Sequence, residues 1–309
     1  MRDTFASEIE SMMNEDPSIM LLTGDLGFGV FDSIRENFPD NFINIGVAEQ
    51  NMTGIASGLA MEGFTVYTYS IANFPILRCL EQIRNDAAYH NLNVNVVSVG
   101  AGFSYGPLGM SHHATEDLAI MRAIPNITIL SPSTLMEAKN ATRALAHTDG
   151  VGYLRIDKSY FDDTKLISSP EFHLGKNRIL KEGSDITLLA TGGILEEVMD
   201  AAEQLDILGI ECRVISCHTI KPIDMESIFR AIKETQGIIT IEEHNINGGL
   251  GGAVAEICLE NSVRPKIFKR IGLSDVFSSV VGSQKHLRSK YGMDSIAIKS
   301  IVKKSIEQL

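Results

Sequence analysis

From Ile19 onward the chain alternates short apolar runs with stretches whose apolar residues return every three to four positions. The runs predict strands at Ile19 to Thr23, Phe42 to Ile45, Thr65 to Tyr69, Asn95 to Gly100, Thr128 to Ser131 and Tyr153 to Ile156. Helical patterns fall between them, near 51–61, 76–89, 116–122 and 134–147. The first of these places Met52, Ile55, Ala56 and Leu59 at i, i+3, i+4 and i+7, one stripe of a helix. Between Asp157 and Gly183 the rhythm stops, and Asp162-Asp163-Thr164-Lys165 and Ser168-Ser169-Pro170 read as linker. A second series follows, with strands at Ile186 to Ala190, Cys212 to Ser216, Ile238 to Glu242 and Lys266 to Ile271, and helices near 194–208, 224–235, 250–261 and 294–307. Strand–helix alternation predicts parallel sheets covered on both faces. The expected fold class is therefore α/β, with two doubly wound domains at 1–157 and 184–309 joined by a linker at 158–183.

Composition narrows the function classes. A length of 309 residues suffices for two cores, and 44% hydrophobic with 21% charged residues is ordinary for a globular chain. The net charge of −12 repels phosphate backbones and anionic lipid, and the basic cluster Lys285, His286, Arg288, Lys290 is short and mixed. Neither nucleic acid nor a membrane is an expected partner. No apolar run reaches membrane-spanning length, and Met1-Arg2-Asp3-Thr4 lacks the apolar core of a signal peptide. The four cysteines, Cys79, Cys212, Cys217 and Cys258, show no CxxC pair and no metal-ligand rhythm. They read as small buried residues of a reducing compartment, so a cytoplasmic location is expected.

The most informative stretch is Gly46-Val47-Ala48-Glu49-Gln50-Asn51. It sets one carboxylate between a strand and a helix rich in small residues, where Gly54, Ala56, Ser57, Gly58 and Ala60 allow another backbone to approach. A lone acid at the mouth of a buried element is costly unless it has a partner or a task, although acids in first turns also favour the helix dipole. A second candidate is the loop from Ser104 to Asp117, shaped by Gly106, Pro107 and Gly109 at the carboxyl end of a strand, where open α/β sheets bind ligands. Adjacent histidines seldom point at one ion, so His112 and His113 read as proton carriers to a bound substrate rather than metal ligands. Glu116 and Asp117 read as first-turn acids. Arg155, a lone cation in an apolar strand, is either a junction ion pair with Asp157 or another acid, or an anchor for an anionic substrate. The run Gly248-Gly249-Leu250-Gly251-Gly252 looks like a phosphate cradle, but Glu242 and Glu243 before it would repel phosphate, and close packing explains it better.

Together these residues resemble the C-terminal half of a transketolase-type thiamine-diphosphate enzyme: a pyrimidine-binding domain followed by the transketolase C-terminal domain. Gly46 to Asn51 is similar to the family's catalytic-glutamate motif, and Ser111-His112 to its Thr-His substrate loop. Ser70 to Phe74 and Glu81 to Asp86 are similar to its aromatic segment and the next helix. Deoxyxylulose-phosphate synthase and the β subunits of 2-oxo-acid dehydrogenases share this module. The resemblance implies that Glu49 hydrogen-bonds the aminopyrimidine of thiamine diphosphate and promotes removal of the thiazolium proton, which requires a carboxyl able to hold or share a proton. It further implies that Phe74 stacks on the pyrimidine, that His112 moves protons at substrate oxygens with His113 beside it, and that Asp25 lies near the cofactor. Gly24-Asp25-Leu26 with Asn51 only loosely follows the family's magnesium-diphosphate motif and is read as a decoy for metal.

Departures from the family pattern bear on substrate and assembly. Leu108 stands where transketolases carry an acid, and Gly29 and Gly100 stand near the places of a phosphate-contacting serine and histidine. Arg155 alone matches a phosphate-binding arginine, so a differently shaped or less charged sugar-like substrate is plausible. The diphosphate-binding domain and its Mg2+ motif are expected on a separate subunit, with the active site between two chains in a dimer or heterotetramer. The implied function is the β-like subunit of a split transketolase moving a two-carbon ketol unit. A 2-oxo-acid dehydrogenase β subunit and a catalytically idle binding paralogue are the alternatives.

Overall fold

The computed structural model describes residues 1–163 and 171–309. The linker signals at 164–165 and 168–170 lie outside the described residues. The first half runs α1 (Arg2–Glu15), β1 (Ile19–Thr23), α2 (Asp32–Asn37), β2 (Phe42–Asn44), α3 (Glu49–Met61), β3 (Thr65–Ile71), α4 (Phe74–Leu77), α5 (Leu80–Gln82), a π-helical segment at Ile83–Ala88, β4 (Val94–Val99), α6 (Asp117–Arg122), β5 (Ile127–Leu130), α7 (Leu135–Ala146) and β6 (Val151–Ile156). The second half runs β7 (Arg178–Lys181), β8 (Ile186–Thr191), α8 (Leu195–Asp206), β9 (Cys212–Ser216), β10 (Thr219–Lys221), α9 (Met225–Glu234), β11 (Gly237–Asn245), α10 (Leu250–Glu260), β12 (Ile267–Leu273), α11 (Gln284–Lys290) and α12 (Ser295–Glu307). No helix among the described residues is long and apolar enough to cross a membrane.

Two mixed sheets result. Strands β1 to β6 are parallel in the order β5-β6-β4-β3-β1-β2, and β10 adds antiparallel beside β5. The second sheet has the order β12-β11-β8-β9-β7, parallel except for β7 against β9. Every residue of β4, β6, β8 and β9 is buried, which is why these strands read as continuous apolar runs rather than alternating ones. Three elements lie outside the sequence expectation. Strands β7 and β10 are four and three residues long and carry Arg178, Lys181 and Lys221, so they show no apolar run. Helix α1 buries Phe5, Ile9, Met12 and Met13 against the first sheet. The helix expected over 76–89 is instead two short turns and a π-helical segment, with Pro75 in the first turn, where its missing N–H costs nothing.

The halves share one core. Met52, Ile129 and Ile220 belong to the same buried cluster as Leu189, Ile215 and Leu250. A cut at residues 158–183 leaves β10 of the second half hydrogen-bonded in the first sheet. Because β1 to β4 are parallel, the segments that follow them open at one edge of the sheet. Those segments carry Asp25, Glu49, Phe74 and His112.

Candidate functional site

Gly46, at φ +76°, makes the sharp turn from β2 that a side chain would strain, and α3 begins three residues later with Glu49. On α3, Met52 and Ala56 are buried and Ile55 and Leu59 partly so, while Asn51, Gly54 and Gly58 face outward. Glu49 is 1% exposed. Ser70 of β3 donates to its Oε1 at 3.2 Å, and Arg78 Nη1 donates to its Oε2 at 2.7 Å. Arg78 is 46% exposed, and its guanidinium carbon lies 5.2 Å from the centroid of the Phe74 ring.

From Phe74 the contacts continue away from Glu49. The His112 ring meets Phe74 edge-on at 5.2 Å, with Ser111 Oγ 3.0 Å from its Nδ1. Tyr105 lies 6.4 Å from His112, and the Lys158 ammonium sits 3.7 Å from the centre of the Tyr105 ring. Glu49, Arg78, Phe74, His112, Tyr105 and Lys158 thus form a row of successive contacts, with a carboxylate at one end and an exposed ammonium at the other. A cleft of about 240 Å³ opens beside this row, lined by Phe74, Arg78, Ser111, His113 and Glu116, with Phe277 reaching in from the second half. Apolar walls with a few polar groups are the usual make-up of a small-molecule site.

His113 differs from its neighbour. It is 3% exposed, its ring stands edge-on to Phe103 at 5.0 Å, and its Nδ1 has no partner. Burial lowers its pKa from the ordinary imidazole value, against the Gly106 carbonyl and Glu116, which raise it. Asn73 holds the loop by donating to the His113 carbonyl oxygen.

Arg155 is corrected by the structure. Its side chain is 1% exposed, and Nε donates to Asp117 Oδ2 at 2.6 Å while Nη2 donates to the carbonyls of Ala114 and Glu243 at 2.8 and 3.1 Å. The Tyr153 hydroxyl completes the carboxylate's shell at 2.6 Å. Burial alone would raise the pKa of Asp117, but Arg155 and His244 outweigh it and hold the carboxyl below its ordinary value. This guanidinium ties the interior together and is not a substrate anchor; the partner acid is Asp117 of α6 rather than Asp157. Two residues past the end of β6, Lys158 is the cation that remains at the surface.

Asp25 is exposed in a left-handed conformation, φ +58°, and its Oδ1 accepts from Asn44 Nδ2 at 3.0 Å. Its neighbour Gly24 faces Glu49, where an added Cβ would lie 3.6 Å from Oε1. The glycine run starts α10, and the carboxylate of Glu242 accepts from Leu250 N and Gly251 N at 2.7 and 2.9 Å. The protein's own anion fills the place a phosphate would need, and Gly248 packs against Ala119. All four cysteines are free and buried.

Arg78 is the site residue that sequence reasoning passed over. The available signal was its spacing, since it follows Phe74 by four positions, the separation that stacks two side chains on one helical face.

Residues 1–162 match the family model described as transketolase, pyrimidine binding domain, and residues 175–298 that of transketolase, C-terminal domain. One of the two subunit types of the apulose-4-phosphate transketolase of Actinobacillus succinogenes is 36% identical over 298 residues, covering 96% of this chain and 94% of the relative. The 6-deoxy-6-sulfo-D-fructose transketolase subunit SqwH of Clostridium sp. is 35% identical, covering 95% and 90%. Among solved structures, a split-gene transketolase described as an inactive beta4 tetramer superposes with a TM-score of 0.89 at 33% identity, covering 99% of this chain and 98% of that one. The chain belongs to the transketolase family, and along its length it is similar to the second subunit of the split transketolases.

Proposed function

We propose that this chain is the pyrimidine-binding subunit of a split, thiamine-diphosphate-dependent transketolase that transfers a two-carbon ketol unit from a small ketose-type donor. The observation that carries the reading is the pairing of Glu49, a buried carboxylate, with a flat N–H donor resting on the Phe74 ring. A space between a carboxylate and a ring face that accepts a guanidinium has the shape and polarity that an aminopyrimidine requires. Thiamine diphosphate, when bound, supplies the carbon nucleophile and electron sink for breaking the bond beside a ketone.

The chain's own residues then divide the work. Glu49 receives the pyrimidine ring nitrogen and holds a proton there. Phe74 offers the ring face, and Asp25 flanks the cofactor beyond Gly24. His112, reachable from solvent, exchanges protons with substrate oxygens. His113, kept uncharged by burial, supplies a fixed hydrogen-bonding group on the cleft wall. Lys158 takes the part that the sequence assigned to Arg155, meeting an anionic end of the ketose. The relatives' names include a sugar phosphate and a sulfo-sugar, both anionic.

Magnesium and the diphosphate are held by a separate subunit in this proposal, because the one helix start rich in glycine is already filled by Glu242. The outward face of α3, with Gly54 and Gly58, suits close approach by that subunit in a heterotetramer. Reconstitution with the partner subunit tests the whole. Glu49→Gln should lower kcat by a factor of roughly 10² to 10⁴ with little change in stability. A fully active Glu49→Gln complex would sink the proposal.

A further inference from the structure

Both oxygens of the Glu49 carboxylate are taken, one by Ser70 and one by Arg78. Any ligand that hydrogen-bonds Glu49 must displace one of these donors. Ser70 is fully buried on β3, behind the carboxylate, and has nowhere to go. Arg78 is half exposed and follows a single helical turn, so it is the partner that can leave.

The way Arg78 is held defines what it competes with. Its guanidinium is flat, conjugated and carries only N–H donors. It makes two contacts at once: a hydrogen bond to Glu49 and a stack over Phe74. An aminopyrimidine is also a flat N–H donor and, on the reading above, uses those same two groups. One carboxylate oxygen and one ring face cannot serve both.

We propose that Arg78 is an internal competitor for the pyrimidine position, occupying Glu49 Oε2 and the Phe74 face until an aminopyrimidine ligand displaces it. The pair keeps a buried carboxylate compensated in the free subunit, where an unpartnered one would be costly. It also sets a threshold for binding: a site closed about nine-tenths of the time shows an apparent Kd about tenfold weaker than its open form. The inference rests on the assignment of Glu49 and Phe74 to the pyrimidine, and it adds a positioning residue that acts through both.

Thiamine, which carries the aminopyrimidine without the diphosphate, is the probe, titrated into the full chain by calorimetry or ligand-observed NMR. Arg78→Gln should bind it about tenfold more tightly than wild type. Arg78→Lys keeps a counter-charge but loses the flat donor face, so it should fold even if the glutamine variant does not and should also bind more tightly, by a smaller factor. Without ligand, Arg78→Gln should lower Tm, and adding Glu49→Gln should restore part of the loss. Folded Arg78 variants that bind thiamine no better than wild type would overturn the competitor role. If Glu49→Gln weakens thiamine binding in that case, the site assignment stands alone; if binding ignores both residues, both ideas fall.

Discussion

Two carboxylate–guanidinium pairs sit a short way apart in this molecule, with nearly equal contact distances and opposite uses. Asp117 and Arg155 meet at 2.6 Å, each 1% exposed, with Tyr153 and two carbonyls closing the shell. Glu49 and Arg78 meet at 2.7 Å, but the cation is 46% exposed and leans on an aromatic ring. The first pair has no face left for a ligand. The second has one partner that can swing out. Closeness of contact does not separate a structural ion pair from a binding site; the asymmetry of burial does.

Breaking the closed pair should give the larger stability loss. Arg155→Met leaves Asp117 charged and buried, which costs about 3–5 kcal/mol, whereas replacing both partners with apolar residues should cost far less. Urea unfolding of Arg155→Met, Asp117→Leu and the double variant measures this directly. Arg78→Gln should cost only about 1 kcal/mol, since water reaches its half-exposed partner. Equal losses for the two arginines would erase the distinction between the pairs.

A second contrast lies along the end of β6. Arg155 points into the interior and Lys158, three residues on, lies at the surface over Tyr105. If Lys158 meets the anionic end of the ketose, Lys158→Met should raise KM roughly tenfold with kcat nearly unchanged, as expected for lost uniform binding. Steady-state kinetics of the reconstituted enzyme, with charged and uncharged ketoses, checks it. The uncharged substrate should be indifferent.

These contrasts show what was legible in the chain. The buried strands announce themselves, because burial on both faces demands unbroken apolar runs. Strands β7 and β10 do not, being short edges that carry charge, and β10 crosses into the sheet of the other half. Glu49, Phe74 and His112 were readable from motif spacing and are brought into one row of contacts. Arg155 was readable as a cation in an apolar strand, but its acid lies 38 residues earlier on another element, which no local pattern reveals. Arg78 was hidden for the opposite reason: an arginine in a polar helical stretch looks like any solvated charge until Glu49 is seen beside it. The glycine run was better read as packing than as a phosphate cradle, and Glu242 supplies the physical reason.

The smallest effect separates the two histidines of the same loop. His113 is buried with its pKa lowered from 6.5, chiefly by desolvation. Between its folded pKa and 6.5 the unfolded chain binds more protons than the folded one, so the His113 contribution to stability is full above that window and is lost as pH falls through it. The slope from this single group cannot exceed about 1.4 kcal/mol per pH unit. His218 is also buried with a lowered pKa and adds a slope of the same sign, so the informative quantity is the difference between wild type and His113→Gln. That difference should change with pH only below about 6.5, read from chemical denaturation at a series of pH values. An identical slope in the variant would mean that His113 is protonated as freely in the fold as outside it, and the wall of the cleft would then be charged rather than neutral.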